Sequence, residues 1–440
     1  MLTLFRMVIF HSFGKSVCHG NSVGLATVVA VALFCCWTSG ARASGFALVQ
    51  QGTAAMGQGN AFVAEANDAS AVYYNPAGLN QIKRAQVYQA SFFNYPDREF
   101  SGGGQDSQTN HRIYRSLTAY VAIPVHDRVA VGLGFFSPFG MGTAWPPTWA
   151  GRYITTYSSL KTYCLNPVVS VRVLENLSLA AGFDVLWSQV HLKRKTPVVV
   201  GGRAFPDGEI ELTGQGSGLG YNLGFHYEPW SGVKLGVAYR SKIKVNHSGG
   251  LSIKLLPPLG AGPSSAGEAA IVYPPSLTMG IAYSRFKPFT FEFDTTWTGW
   301  STYDQLKVNL DVPMPVNGVL SNTLTTPKNW HDSWAFRFGA NYEVNETMKL
   351  RAGYIYDLTP VPDSTFDPQV PDANRHIFTV GSDLKVLQRF TLGFAYNYIL
   401  SESRTKSNSV VVNGVPAPLQ ANGRYNSDVH SLGLSWSFQF

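Results

Sequence analysis

The chain has 440 residues, of which 45% are hydrophobic, 13% aromatic and only 14% charged, with a formal net charge of +7. A soluble domain carries roughly 25% charged residues, so much of this surface is not built to meet water, and the small positive balance excludes a nucleic-acid footprint. No uninterrupted apolar run of ~20 residues lies beyond the N-terminus, which excludes helical membrane spans.

Residues 1–43 read as a secretory signal peptide. Arg6 and Lys15 precede an apolar stretch from Val23 to Trp37, and Ala41-Arg42-Ala43 supplies a small-x-small cleavage site. Met7 is an alternative start. Gly24, Thr27, Cys35 and Cys36 leave the run short for a membrane anchor, and bulky Phe34 before Cys35 argues against a lipoprotein. Cleavage removes Cys18, Cys35 and Cys36, so Cys164 stands alone and no intramolecular disulfide is expected. It also removes Arg6, Lys15 and Arg42 and no acid, leaving 31 basic against 27 acidic residues, a net +4.

Residues 44–83 open with SGFALVQQGTAAMGQGNAFVAEANDASAVYYNPAGL, rich in Gly, Ala, Asn and Ser. The stretch has too few large apolar side chains for a core, and repeated glycines break any helix, so it needs a container.

Residues 84–440 supply one. They repeat segments of about ten residues with strict period-two alternation, each followed by a turn. Val129, Val131, Leu133 and Phe135 share one face, with Ala130, Gly132 and Gly134 on the other; Leu219 to Tyr227 and Phe390 to Tyr398 follow the same rule. One face is apolar with aromatic ends and the other carries glycine and charge. About fourteen such segments are expected, with tight turns at Pro124–Arg128, Leu174–Asn176, Pro229–Gly232, Arg285–Lys287, Asn345–Glu346 and Leu387–Gln388. Long connections fall at Asp97–His111, Pro138–Leu160, His191–Gly216, Ile243–Pro274, Gly299–His331, Leu358–Asn374 and Ser401–Asn426. Short turns at one rim and long loops at the other describe a transmembrane antiparallel β-barrel, the closed form that lipid demands of a sheet. The last strand ends on Trp436, Phe438 and Phe440, which resembles the terminal signal of bacterial outer-membrane barrels.

Asn67 to Leu79, NDASAVYYNPAGL, resembles the N-terminal hatch of the FadL/TodX family of outer-membrane transporters for long-chain fatty acids and other hydrophobic compounds. A second match is GLGFFSPFGMGT at Gly132–Thr143, followed by Trp149-Ala150-Gly151-Arg152-Tyr153 and Leu165-Asn166-Pro167. The resemblance implies a barrel of fourteen strands plugged by its own N-terminus. It implies capture of ligand in a greasy groove among extracellular loops, passage to an internal site, and sideways exit where the third strand kinks inward.

On that reading Asn75, Pro76, Ala77 and Gly78 gate the hatch, or simply turn the chain into the first strand. Gly132, Gly134, Phe135, Phe136 and Pro138 belong to the opening strand, the glycines making either a hole or space for the hatch. Phe139, Met141, Trp145 and Trp149 form one apolar loop patch, and Leu251, Ile253, Leu255, Leu256 and Leu259 another, for ligand or for loop packing. Arg152, Lys161, Arg337 and Arg351 are candidates for a ligand carboxylate, with pairing to lumen acids Glu292, Asp294 or Asp357 as the alternative. Lys193-Arg194-Lys195 reads as a patch for lipopolysaccharide phosphates or a solvated run.

Enzyme signals are poor. The G-x-S-x-G at Gly20–Gly24 lies inside the signal, no P-loop occurs, and the mature histidines, His226 in the lumen among them, have no metal spacing. No cofactor, metal or catalytic residue is expected. The reading is a monomeric passive channel in the outer membrane, surrounded by lipid and lipopolysaccharide and carrying long-chain fatty acids. The rivals are a toluene-type aromatic hydrocarbon channel, an outer-membrane lipid hydrolase and a structural barrel.

Overall fold

The computed structural model describes residues 45–440; the proposed signal peptide lies outside the described residues. Alternation sets the architecture. Leu133, Leu179, Phe183, Trp187, Leu219, Leu223, Phe291, Phe338, Phe378, Phe394 and Leu434 are all exposed, while their sequence neighbours Ala180, Asp184, Asn222, Glu292, Arg337, Thr379, Ala395 and Ser435 are buried. Period two sends successive side chains to opposite faces, and here the apolar face looks outward. This is the lipid-facing skin of a membrane-spanning barrel with a polar interior.

The strands are β1 (Gln86–Gly102), β2 (Gln105–Gln108), β3 (Tyr114–His126), β4 (Val129–Phe136), β5 (Gly140–Ala144), β6 (Tyr157–Leu174), β7 (Leu177–Val200) and β8 (Arg203–Trp230). They continue as β9 (Val233–Arg240), β10 (Ile243–Lys254), β11 (Ser264–Tyr273), β12 (Ser276–Tyr283), β13 (Phe289–Thr298), β14 (Gln305–Val316), β15 (Val319–Pro327) and β16 (Ser333–Glu343). The last are β17 (Met348–Asp357), β18 (Arg375–Leu387), β19 (Phe390–Ser401), β20 (Arg404–Lys406), β21 (Val411–Val412), β22 (Val415–Pro416) and β23 (Gly423–Gln439). Antiparallel ladders join β1, β3, β4, β6, β7, β8, β9, β12, β13, β16, β17, β18, β19 and β23 in that order. β23 then pairs with β1 from Gln86↔Gln439 to Ser101↔Arg424, closing a barrel of 14 strands. β5 prolongs the lane of β4, and β10, β11, β14 and β15 prolong those of β9, β12, β13 and β16 beyond the membrane band.

The tight turns fall where the sequence places them, but most of the expected long loops contain paired strands, and three are largely ladder. His191–Gly216 is the paired upper part of β7 and β8, strands of 24 and 28 residues that meet at Gly201 and Gly202, both with positive φ. Ile243–Pro274 contains the β10–β11 hairpin, and Gly299–His331 contains β14–β15. The β7–β8 extension stands outside lipid, so its outer face holds ion pairs in place of apolar residues: Lys193 lies 3.4 Å from Glu209 and 3.2 Å from Glu211. Loss of the greasy stripe is what makes such a strand resemble a loop in sequence.

Inside the barrel lie the short helices Thr53–Gly57 and Ala71–Tyr74 and the 3-10 turn Pro76–Gln81, almost wholly buried. They are held by polar bonds to the inner wall. Phe62 N and Val63 N donate to Asp294 Oδ2 (2.8 and 3.1 Å), Ala64 N and Glu65 N to the two oxygens of Glu292 (2.7 and 2.9 Å). His226 Nε2 donates to Ala64 O (2.9 Å), and Thr53 Oγ1 meets Ser435 Oγ at 2.6 Å. Bare wall lets the backbones approach: a Cβ on Gly236 would stand 2.1 Å from Val63 O, and one on Gly353 2.3 Å from Gln58 C.

Candidate functional site

The third lane of the wall breaks where the sequence changes character. β4 runs in register with β3 only up to Phe135, and β5 pairs with β6 alone. Between them Ser137-Pro138-Phe139 interrupts the ladder, since proline offers no N–H. The freed groups bond to the N-terminal segment: Leu48 N to Pro138 O (2.9 Å), Gly140 N to Phe46 O (2.9 Å) and Gln51 Nε2 to Ser137 O (2.7 Å). Thr118 Oγ1 and Tyr120 OH on β3 also donate to Gln51 O. Residues 46–51 thus stand in for the missing strand, and the Tyr114 ring lies over Gly142, where a Cβ would come within 2.0 Å of it.

Above this break, at the long-loop end, an apolar groove of about 780 Å³ is lined by Met141, Leu160, Val190, Leu192, Leu212, Leu306, Val308 and Val370. It continues past Leu192, Leu212, Leu306, Val308 and Gln369 into a second pocket of about 740 Å³ that carries Leu251, Leu324, Val412 and Arg194. Below lies a larger, more polar chamber of about 1110 Å³ with Phe136, Phe139, Cys164, Asp184, Arg240, Asp294 and Arg337 on its walls. Phe46 lines the groove and packs on Phe139 and Tyr273 of the chamber wall, as well as on Trp300, Tyr303 and Trp330, with ring centroids 4.6 to 6.2 Å away. The apolar lining of the groove suits an apolar ligand.

The expected residues are distributed unevenly over this geometry. Asn75 donates to Val63 O and Phe225 O (2.7 and 2.9 Å), and Gly78 packs on Ala66, so this turn docks on β8. Its neighbours Val72 and Leu79 touch the third lane, at Gly132 and Gly134. Those glycines make room for the segment, because both are paired on either side; the break starts after Phe136. Phe135 faces outward, stacked on Tyr163. Phe139 and Met141 line the chamber and the groove. Trp145 and Trp149 stack on each other at 4.4 Å and bond to Pro368 O and Thr155 O, as core. Leu251 and Ile253 are buried with Ile210, Val308 and Leu310, Leu255 packs on them, Leu256 is exposed and Leu259 half-buried.

Among the cations, Arg152 is bonded to Asp207 (2.9 Å), Arg351 to Asp383 (2.7 Å), and Lys161 sits exposed on the outer face of β6. Arg337 lines the chamber and donates to Thr296 Oγ1. Two basic residues outside the carboxylate candidates do more. One comes from the run Lys193-Arg194-Lys195, expected to face lipopolysaccharide or solvent, of which Lys193 and Lys195 pair with Glu209 on the outer face while Arg194 turns inward. Arg194, inward-facing in the upper pocket, donates to Tyr153 O (3.1 Å) and Asn317 Oδ1 (3.2 Å), with no carboxylate at ion-pair distance among the described residues. Arg240 holds Asp184 (2.8 Å) and Tyr73 O (3.0 Å) while lying over the Tyr73 and Phe136 rings. Lys328, on the groove, is neutralised by Asp367 at 2.8 Å.

A family profile described as outer membrane protein transport protein (OMPP1/FadL/TodX) matches residues 34–440. A long-chain fatty acid transport protein of Salmonella typhi is 23% identical, over 91% of this chain and 95% of its own length. The crystal structure of a Pseudomonas aeruginosa FadL homologue superposes with a TM-score of 0.78 at 20% identity, covering 90% of this chain and 100% of that one. The Ralstonia pickettii toluene transporter TbuX gives 0.66 at 18% identity, covering 88% and 98%.

Proposed function

Because the chain belongs to the OMPP1/FadL/TodX family of outer-membrane transport proteins for hydrophobic compounds, we propose that it takes up long-chain fatty acids passively. Ligand enters the apolar groove at the extracellular end, its carboxylate held by Arg194. It passes Phe46 as residues 46–51 shift, and leaves for the lipid through the break between β3 and β5. Residues 44–83 act as the hatch in this scheme. Physical reasoning supports a protein path: each CH₂ exposed to a watery pore costs about 0.8 kcal/mol, and a continuous apolar lining removes that cost.

The observation that carries the fatty-acid reading is Arg194, a guanidinium in the upper pocket with no carboxylate at ion-pair distance among the described residues, Asp367 on the same pocket being held by Lys328. A bare hydrocarbon gives such a group nothing, whereas a carboxylate makes charge-assisted bonds to it. The rings around Phe46 favour a second reading, uptake of aromatic hydrocarbon. Labelled oleate uptake in a transporter-deficient strain, with toluene as competitor, separates the two. Arg194→Gln should lower oleate affinity about tenfold and leave toluene binding unchanged; equal oleate binding by both proteins would remove the carboxylate contact.

A further inference from the structure

The chain carries the sequence Val-Asn-Gly-Val twice, at Val316–Val319 and at Val412–Val415. In both copies Asn and Gly have positive φ, 51° and 79° in the first and 53° and 76° in the second, as a two-residue hairpin turn requires. The first copy closes β14–β15 and the second β21–β22, and each asparagine reaches across to the other hairpin. Asn413 N donates to Thr325 O (2.9 Å) and Asn413 Nδ2 to Thr323 O (2.6 Å), while Asn413 Oδ1 accepts from Thr325 N (2.8 Å). In return Asn317 Nδ2 donates to Val415 O (3.4 Å), and Asn317 Oδ1 accepts from Arg194 (3.2 Å).

The second hairpin belongs to a segment that roofs the upper pocket. Val410, Val412 and Ala417 line that pocket together with Arg194, and Val412 packs on the cluster holding Leu251, Val308 and Leu324. Residues 410–420 are stitched to one another: Ala417 N donates to Val410 O (3.0 Å), and the Gln420 side chain accepts from Val410 N and donates to Ala417 O (2.7 Å each). Their base is bolted down, Asn408 Nδ2 donating to Ser364 O and Phe366 O (3.1 Å each) and Lys406 Nζ to Asn422 Oδ1 (2.8 Å). Between the two the chain turns at Ala421, whose φ of 47° is a conformation that a residue with a side chain keeps only while its surroundings impose it. Two ladder pairs do not hold a hairpin in water, so the tip stays down through Asn413 and Asn317. A unit stitched within, fixed at its base and tied at its tip by side chains moves as one body when the tie gives way.

We propose that residues 410–420 are a flap over the upper pocket, latched by Asn413, and that ligand enters from outside by lifting it. The inference rests on the reading of that pocket as the place where a fatty acid is first held, and adds the step before it. Pocket and groove share Leu192, Leu212, Leu306 and Val308, so whatever passes under the flap meets apolar wall from there on. Asn413 is then a positioning residue, acting on the ligand only through the hairpin it ties down.

Asn413→Gly keeps the positive φ and removes both side-chain bonds of the latch. Leu324, buried under the flap, reports on it without any ligand: a polar maleimide should label Leu324→Cys about tenfold faster when Asn413→Gly is added. Oleate kinetics on the detergent-purified full chain supply the second readout. Asn413→Gly should speed association and dissociation together and leave Kd nearly unchanged, as a gate does. A disulfide between Asn413→Cys and Thr325→Cys, confirmed by mass, should slow both rates until it is reduced, a comparison made within one folded protein. Equal labelling with and without Asn413→Gly overturns the flap. Oleate rates indifferent to the disulfide, or a weaker Kd with unaltered association in Asn413→Gly, reduce the segment to lining; both overturn the gate and leave the fatty-acid reading standing. Failure of the parent protein to bind oleate defeats the fatty-acid reading, and the labelling result still decides whether the flap lifts.

Discussion

Asp68 caps the turn that leads into helix Ala71–Tyr74, accepting from Ser70 N at 2.8 Å and from Ser70 Oγ at 2.5 Å. Burial outweighs those bonds and pushes its carboxyl from 3.8 up to about 6. A raised acid pKa means that the folded state binds the proton more tightly than the unfolded one. The stability this group contributes is therefore complete below about pH 4 and is lost as pH climbs through about 6. Asp68→Asn should slow amide exchange over residues 69–74 at pH 7.5 and flatten its dependence on pH between 4 and 7, once intrinsic rates are divided out. Unchanged protection in the variant would show that the charge does not load the turn. At this scale the sequence yields residue types more readily than partners. Arg351 meets Asp383 on the adjacent strand instead of Glu292, Asp294 or Asp357, because register decides which acid is diagonal to it. In sequence Arg240 is one basic residue among several at a strand end. Its inward position follows from Gly236 and Ala238 on the same face of β9, and only the ladder with β8 and β12 fixes that face.

At the level of elements, the N-terminal segment is bound in two ways. Residues 53–82 are bolted to the wall. Glu292 and Asp294, expected to balance lumen cations, instead accept four consecutive backbone N–H groups from Phe62 to Glu65. Four bonds are lost together, and each buried donor left unpaired costs roughly 1–3 kcal/mol, so Glu292→Ala with Asp294→Ala should free this stretch. The expected readout is ion conductance in planar bilayers from the double variant, with the parent protein silent. Residues 46–51, by contrast, fill the interrupted third lane with a few backbone bonds. If ligand leaves there, cysteines at Tyr114 and Gly142, whose side-chain positions overlap, should arrest oleate uptake when oxidised and restore it when reduced. Uptake indifferent to oxidation, with the disulfide confirmed by mass, would place the exit elsewhere. The interruption itself was legible, since Ser137-Pro138 cannot extend a ladder. What replaces the lost strand was not legible, because residues 46–51 carry no alternation to betray pairing.

For the whole molecule, the barrel was written in the sequence through its skin: lipid on one side and a wet lumen on the other impose strict alternation, and tight turns fix the register. Where the wall rises beyond lipid that constraint lapses, and upper β7, β8, β10, β11, β14 and β15 read as loops although they are paired. Leu223→Arg, on the lipid face of β8, should cost about 2–4 kcal/mol if the residue lies near mid-membrane. Urea titration in lipid vesicles, followed by heat-dependent gel mobility, measures it. An equal substitution at Leu256, exposed at the long-loop end, should leave the midpoint unchanged.

The seam between β1 and β23 joins the first strand of the wall to the last, and Thr53 of the enclosed segment bonds to Ser435 on that final strand. The enclosed segment is therefore fastened to the very strand that closes the wall. That closing strand is 17 residues long. One strand thus serves as both seam and anchor, so whatever loosens the join between the two ends of the wall also loosens the grip on what it encloses.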